Sequence, residues 1–547
     1  MKKIRTVLPT LAPFSIFAGV LWVLWLVRGV FPYAAIAGDT MTYYEATENF
    51  HVFGFNFSDW SRTPPFGLLL HVLVRMPHPD AAFFWLNGGL FVLVFLLVYM
   101  VAAWLFRSGF RAWLLTVCLF LVEMAIIQPL LYAAAIMSDV LYAQLLLVGC
   151  LLALIGWLKR RTGVLCIGYA ALGIACFTRP VGLSLLPLLM LFAVITTIAT
   201  QEGIGPKRRR ILCLWLLFFL FAPTFAWSAH NAVLYGQFKT TAYAAPNLLP
   251  RVLPLLKDTD TVLRDPEQNK AFIASVRATE RVFGREYNDY AWAGNTAAPG
   301  VLPYLRTLTE TYARTAGNPM GKDWTLAYFE TDTIGMKAAT AIILQHPLAY
   351  LHMVARDYAG LFPSPISWTA LRTGESLTQR ASSQYASVMQ SYPKSTLRLL
   401  YPPGGALDAT RISSSRAQTF ASLASFPGHA LIATIFLSKV GCVLAHLLFL
   451  FCIVFLLFRR RLAAFVVPPQ RSVELAVVSC FLFLAAASQY LLTSAVELPL
   501  ERYALPGGIA WHLSVLLGIT LVCRIAWAAV RTKVLVKASD AEKGVHS

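Results

Sequence analysis

Ten apolar runs, each near the length needed to cross a bilayer, constrain this chain more than any other feature. They are Val7–Val27, Ala82–Phe106, Trp113–Tyr132, Val140–Trp157, Val164–Thr178, Val181–Ile198, Ile211–Trp227, Val440–Phe458, Val473–Leu492 and Ala504–Val522. About 20 helical residues, at roughly 1.5 Å each, cover an apolar layer of about 30 Å. With 57% hydrophobic and 13% charged residues over 547 positions, a water-soluble core cannot hide the apolar surface. The expected fold class is an all-α polytopic membrane protein of about ten transmembrane helices. Residues 164–198 are too long for one span and short for two, so they read as a tight hairpin with Thr178-Arg179-Pro180 at its apex. The first run reads as an uncleaved anchor. A cleaved signal peptide is the competing reading, because Ala35-Ile36-Ala37 resembles a small-residue cleavage site.

The formal charge of +19 does not point to nucleic acid. Much of it sits in short clusters at the ends of apolar runs, where basic residues set membrane orientation. Given the hairpin, Lys2/Lys3/Arg5, Arg107/Arg111, Lys159–Arg161, Lys207–Arg210, Arg459–Arg461 and Arg524/Arg531/Lys533 all fall on one face. A single span over 164–198 would split Lys159–Arg161 from Lys207–Arg210. The positive-inside rule makes the shared face cytoplasmic and puts both termini there. All nine cysteines lie in or beside apolar runs, so neither a disulfide framework nor a zinc spacing is present.

Three parts follow: an N-terminal transmembrane module (1–229), an extracytoplasmic segment (230–437), and C-terminal transmembrane helices with a cytoplasmic tail (438–547). The middle segment carries helical patterns near Lys270–Phe283 and Thr333–Gln345. A further helix opens at His346-Pro347, where Leu348, Leu351, Ala355, Tyr358 and Phe362 recur at helical spacing. That helix suits a place in the membrane interface with His352 and Arg356 toward headgroups, or an ordinary packed position in a small domain. Thr369–Ser415 reads as a long loop. Within the spans, Glu123 and His446 look deep, and they read more readily as helix–helix hydrogen-bond partners than as a proton relay.

The expected outer face gathers polar residues of a particular kind. Its first loop holds Gly38-Asp39-Thr40, Tyr43-Tyr44 and Arg62-Thr63-Pro64-Pro65. Ser138-Asp139 opens the fourth run, Phe177-Thr178-Arg179-Pro180 forms the hairpin apex, Gln345-His346-Pro347 precedes Tyr350-Leu351, and Glu501-Arg502-Tyr503-Ala504-Leu505-Pro506 opens the last run. In order, spacing and shared face, this set resembles the type-C integral membrane glycosyltransferases, which include the protein O-mannosyltransferases and the aminoarabinose transferases of lipid A. The resemblance covers the first seven spans best and leaves most of 231–430 unmatched.

What the resemblance implies is a helical membrane enzyme with an outward-facing cavity, a polyprenyl-phosphate-linked sugar as donor, and Asp39 as catalytic carboxylate, with Asp139 as a second acid. The acceptor is a glycan, lipid or protein, and the site faces the periplasm or exterior of the cytoplasmic membrane. The residues are compatible with that chemistry. A hydroxyl attacking an anomeric carbon needs a base within hydrogen-bond reach. A departing lipid phosphate can be stabilised by cations without an obligatory metal. The available substrate-binding groups are Tyr43, Tyr44, Arg62, Arg179, His346, Arg356, Lys439, Glu501 and Arg502, with Arg suited to bidentate phosphate contact.

Plainer readings stand beside these. Asp39 also has a plainer reading as a helix cap for Thr40–Asn49, and Asp139 reads equally as a cap of the fourth span. Tyr43 and Tyr44 suit an interfacial aromatic belt. Arg179 suits a hairpin terminus, Glu501-Arg502 a local ion pair, and Lys439 a snorkelling side chain. Asp258-Thr259-Asp260 has the spacing of a metal-binding acidic motif, but a solvated turn explains it better. No cofactor is expected, because neither a phosphate-cradling loop nor a dinucleotide fingerprint occurs. A lipid-linked-saccharide flippase and a polymer ligase using a polyprenyl-diphosphate donor are the competing functions.

Overall fold

Two prolines show how local chemistry sets the helix boundaries near the membrane face of interest. The residue before a proline is driven out of the helical region, and the proline itself fits the first helical turn. Thr63 is accordingly extended (φ −89°, ψ 146°) before the helix Pro64–Val74. Arg179 is extended (φ −134°, ψ 123°) between the helix Thr162–Thr178 and a 3-10 turn over Pro180–Leu185.

The computed structural model describes residues 2–30, 35–36, 43, 62–126, 135–136, 138–199, 205–242, 244–283, 324–360, 415–416, 418–419, 422, 439–462, 471–496 and 505–545. In chain order the elements are α1 (Lys2–Val30), β1 (Ala35–Ile36), α2 (Pro64–Val74), α3 (Pro79–Phe106), α4 (Gly109–Ile126) and β2 (Ala135–Ile136). Next come α5 (Ser138–Leu158), α6 (Thr162–Thr178), α7 (Leu186–Ala199) and α8 (Pro206–Tyr235). The middle segment contributes α9 (Ala244–Val252), α10 (Pro266–Phe283), α11 (Trp324–Gln345) and α12 (Pro347–Gly360). The chain ends with α13 (Lys439–Leu462), α14 (Ser472–Val496) and α15 (Leu505–Val545). Thr369–Ser414 lies outside the described residues, so the loop expected there is not addressed.

Seven of these helices are long and apolar enough to cross a membrane: α1, α3, α5, α8, α13, α14 and α15. The chain is therefore a helical, polytopic membrane protein. The helices α2, α6 and α7 are apolar but shorter. The expected turn at Thr178-Arg179-Pro180 is present. The Cys176 thiol donates to the Gly182 carbonyl, and the Tyr169 hydroxyl donates to the Leu189 carbonyl at 3.1 Å. Both pairs are equidistant in sequence from Arg179, so α6 and α7 fold back on one another with Arg179 at the centre.

Glycines let α5 and α6 pack at backbone contact. A Cβ on Gly156 of α5 would lie 2.5 Å from the Leu165 amide nitrogen of α6, and one on Gly168 would lie 2.6 Å from the Ala153 nitrogen. Small residues let helices approach to backbone contact, the main route to tight packing where lipid gives no hydrophobic driving force. This pair carries Asp139 at the start of α5 and Arg179 at the end of α6.

The middle segment is helical in its described part and has a core of its own, built from Leu248, Leu249 and Val252 of α9, Phe272 and Val276 of α10, and Ala338, Ala339 and Ile342 of α11. The helix expected over Lys270–Phe283 begins slightly earlier, at Pro266, and the one ending at Gln345 begins at Trp324. α11 and α12 are bent by 100° at His346. In α12, Leu348, Leu351, His352, Ala355 and Arg356 face outward, whereas Met353, Val354 and Asp357 turn inward.

Candidate functional site

Asp139 lies in the first turn of α5, where the helix dipole favours a carboxylate. It is 1% exposed and forms an ion pair through Oδ1 with the Arg179 guanidinium at the α6–α7 turn. The same guanidinium reaches the Ser138 hydroxyl at 3.5 Å. Asp139 Oδ2 is buried with no hydrogen-bond partner among the described residues. A buried carboxylate keeps its charge only when paired, and here the pairing uses one of its two oxygens.

The first outer loop meets this pair through one bond. The Thr63 hydroxyl donates to the Thr178 carbonyl oxygen at 3.0 Å. It thereby joins Arg62-Thr63-Pro64 to Thr178-Arg179-Pro180. Arg62 stands over the Tyr43 ring at 4.8 Å, and Tyr43 meets Phe66 of α2 edge-on at 5.1 Å. Tyr43, Arg62, Asp139 and Arg179 thus come from one connected patch, although 136 residues separate the first from the last in sequence.

A two-stranded parallel ladder brings in the segment that leads to Asp39. β1 pairs with β2 in register, Ala35 with Ala135 and Ile36 with Ile136. Asp39 follows Ile36 by three residues, as Asp139 follows Ile136 by three. Asp39 lies outside the described residues, and so do Tyr44, Glu501 and Arg502. The sequence holds a signal for this ladder that the reading above missed: Ala34-Ala35-Ile36 and Ala134-Ala135-Ile136 are identical triplets, each with an aspartate three positions on.

The remaining candidates have other partners. His346 Nε2 bonds to Asp260 Oδ2 at 2.8 Å, at the α11–α12 bend. Gln345 beside it bonds both backbone groups of Thr261. Arg356 bonds to Asp357 at 3.0 Å, and Asp357 also pairs with the buried Arg251 of α9 at 2.7 Å. Lys439 opens α13, and its side chain falls outside the described part. In the acidic motif, Asp258 pairs with Arg277 at 2.8 Å, while Asp260 accepts from the Lys257 amide and bonds to His346. Burial raises the Asp260 pKa. The Lys257 amide, the His346 bond and charge, and the Lys257 charge outweigh that, leaving the carboxyl below its ordinary value. Among the described residues no group of three or more His, Cys, Asp or Glu is arranged to hold a metal.

Below the Asp139–Arg179 pair the helices are joined by buried polar contacts. Tyr142, one turn further along α5, donates to Gln489 Oε1 of α14 at 2.7 Å. Glu123 of α4 bonds to His512 Nδ1 of α15 at 2.8 Å. His446 Nδ1 lies 2.8 Å from the Cys442 carbonyl, which can only accept, so Nδ1 carries a proton. His446 Nε2 lies 3.2 Å from the Tyr358 hydroxyl of α12 and accepts from it when the ring is neutral. Glu123 and His446 thus act as the helix–helix hydrogen-bond partners expected for them, and their partners His512 and Tyr358 were not foreseen. Compared with known proteins, the chain matches no family model, no curated protein and no solved structure.

Proposed function

We propose that the chain is a membrane glycosyltransferase that moves a sugar from a polyprenyl-phosphate carrier to an acceptor hydroxyl. In this reading ten helices span the cytoplasmic membrane, both termini are cytoplasmic, and the site faces outward. The observation that carries it is the junction of Arg62-Thr63-Pro64 with the Asp139–Arg179 pair through the Thr63–Thr178 bond. The in-register ladder ending three residues before Asp39 and Asp139 adds to it.

Asp39 acts as general base. It takes the proton of the acceptor hydroxyl as that oxygen bonds to the anomeric carbon. The bond from that carbon to the phosphate oxygen breaks, and its electron pair stays on the lipid phosphate. Arg62 is the first cation for that charge, since Arg179 is already neutralised in part by Asp139. Asp139 holds Arg179 through Oδ1, and its Oδ2 has no hydrogen-bond partner among the described residues.

A flippase has less support. Glu123, Gln489, His512 and the half-buried His446 lie within two turns of the site-side ends of their helices, and the groups buried deeper, such as Thr116 and Ser479, are small hydroxyls. The test is purification with bound lipid, mass analysis of its headgroup, and transfer assays on Asp39→Asn. The variant should insert and keep the lipid but lose transfer. Wild-type turnover by it, or lipid translocation without glycosidic chemistry, would overturn the reading. A diphosphate headgroup on the bound lipid would instead point to a polymer ligase.

A further inference from the structure

At the end of the bundle opposite the candidate site, four arginines converge on the turn between α3 and α4. Arg107 belongs to the turn itself, and Arg111 to the first turn of α4. Arg471 precedes α14, donates to the Trp104 carbonyl and lies 4.1 Å from the centre of the Trp104 ring. Arg524 of α15 stands over the Phe106 ring at 4.8 Å. Arg107 and Arg471 both take the left-handed backbone region, with φ of 49° and 64°, which non-glycine residues seldom adopt.

The electrostatics are one-sided. Arg107 bears on Arg471 and Arg111 on Arg524, both with like charge, and Glu474 offsets only the former. Neither Arg471 nor Arg524 forms an ion pair among the described residues. Ordinary orientation-setting charges look different: Lys207, Arg208 and Arg210 at the start of α8 are exposed, whereas Arg471 and Arg524 are half-buried and held by rings. Two exposed aromatic side chains, a type enriched at membrane–water boundaries, neighbour them in the chain. Phe110 is 51% exposed, and Trp527, one turn beyond Arg524, is 72% exposed.

We propose that Arg107, Arg111, Arg471 and Arg524 form a binding site for the phosphate of an anionic phospholipid headgroup, with Phe110 and Trp527 against its glycerol and upper acyl region. Guanidinium groups suit phosphate through paired N–H donors, and rings beneath two of them fix their planes in advance. An anionic ligand also relieves the repulsion among the four cations. The site is separate from the proposed transferase chemistry and does not depend on it.

The experiment uses the full-length protein in detergent, with phosphatidylglycerol, phosphatidylcholine and inorganic phosphate as probes and native mass spectrometry as readout. Wild-type protein should retain phosphatidylglycerol in preference to phosphatidylcholine. Arg471→Gln/Arg524→Gln should reduce that retention by about tenfold, in keeping with two lost phosphate-directed cations at a membrane surface. Lys207→Gln/Arg208→Gln should leave it unchanged. Arg111→Gln, an exposed position with no role in packing, tests the site if the double variant does not fold, and it should weaken retention about threefold. Equal retention of the two lipids, unchanged retention in the arginine variants, or full competition by inorganic phosphate at equal concentration would overturn the proposal. The last outcome would make the corner a free-phosphate site.

Discussion

The Thr63 hydroxyl donates to the Thr178 carbonyl oxygen across 3.0 Å in a buried contact between segments 115 residues apart. Each threonine belongs to a proline motif that fixes the adjoining backbone, Thr63-Pro64 on one side and Thr178-Arg179-Pro180 on the other. The bond therefore joins two rigid corners, and it sets Arg62 and Arg179 at a defined separation.

Thr63→Val keeps the shape and removes the donor, leaving the Thr178 carbonyl without that bond. The expected cost is about 1–3 kcal/mol of stability, the range for a buried polar group left unpaired. Thr63→Ser should recover most of it. Thermal unfolding of purified protein checks both, and equal stability of the valine and serine variants would remove the bond from the account.

Asp139 and Arg179 should show strong coupling. Removing one partner leaves a buried charge, with an expected loss of about 3–5 kcal/mol for Asp139→Leu or Arg179→Met. The double variant should be more stable than the sum of the single losses implies, because neither charge then remains. A double-mutant cycle on unfolding temperature reads the coupling, and simple additivity would contradict the ion pair.

The Asp260–His346 contact makes the α11–α12 bend sensitive to acid. The Asp260 carboxyl sits below its ordinary pKa because the Lys257 amide, His346 and the Lys257 charge outweigh the effect of burial. A depressed carboxyl pKa stabilises the fold above the unfolded value and loses that contribution as pH falls through the folded value. Asp260→Asn should therefore be less stable than wild type near neutral pH, and the difference should close below about pH 4. Unfolding curves at stepped pH provide the check, and a gap that persists or widens in acid would contradict the sign.

The sequence carried much of this architecture because membrane spans announce themselves by length and apolarity, and proline announces boundaries. The turn at Arg179 was legible for both reasons: the 164–198 run had the wrong length for one or two ordinary spans, and Pro180 excluded a continuous helix. The pairings were harder to see. Arg179 could be read as a cation near the outer face, yet nothing in its own neighbourhood names Asp139 as partner, because that contact arises from the glycine-mediated approach of α5 and α6. The two-residue strands were below the length at which alternation carries information, and only the repeated Ala-Ala-Ile triplet marked them. His346 was singled out for its motif, and its partner Asp260 was set aside as part of a solvated turn. Local sequence could not join residues 86 positions apart.

α12 connects the middle segment to the C-terminal helices at two levels. The Tyr350 hydroxyl donates to the Ala495 carbonyl at the end of α14, at 2.8 Å. Eight residues on, Tyr358 donates to His446, about two turns inside α13 from Lys439. α12 thus descends beside these helices while Leu348, 80% exposed, and Leu351 remain on its open side. Two hydroxyls and the buried Asp357–Arg251 ion pair, rather than an apolar seam on both sides, hold it in place. Tyr350→Phe and Tyr358→Phe each retain the ring and should cost about 0.5–1.5 kcal/mol. Together they should release α12 as a unit, with its amides exchanging faster while those of α5 and α6 keep their protection. Hydrogen exchange by mass spectrometry distinguishes this from global loosening. Faster exchange throughout the bundle would mean that α12 is part of the common core, whereas no change would mean that Met353 and Val354 suffice to hold it.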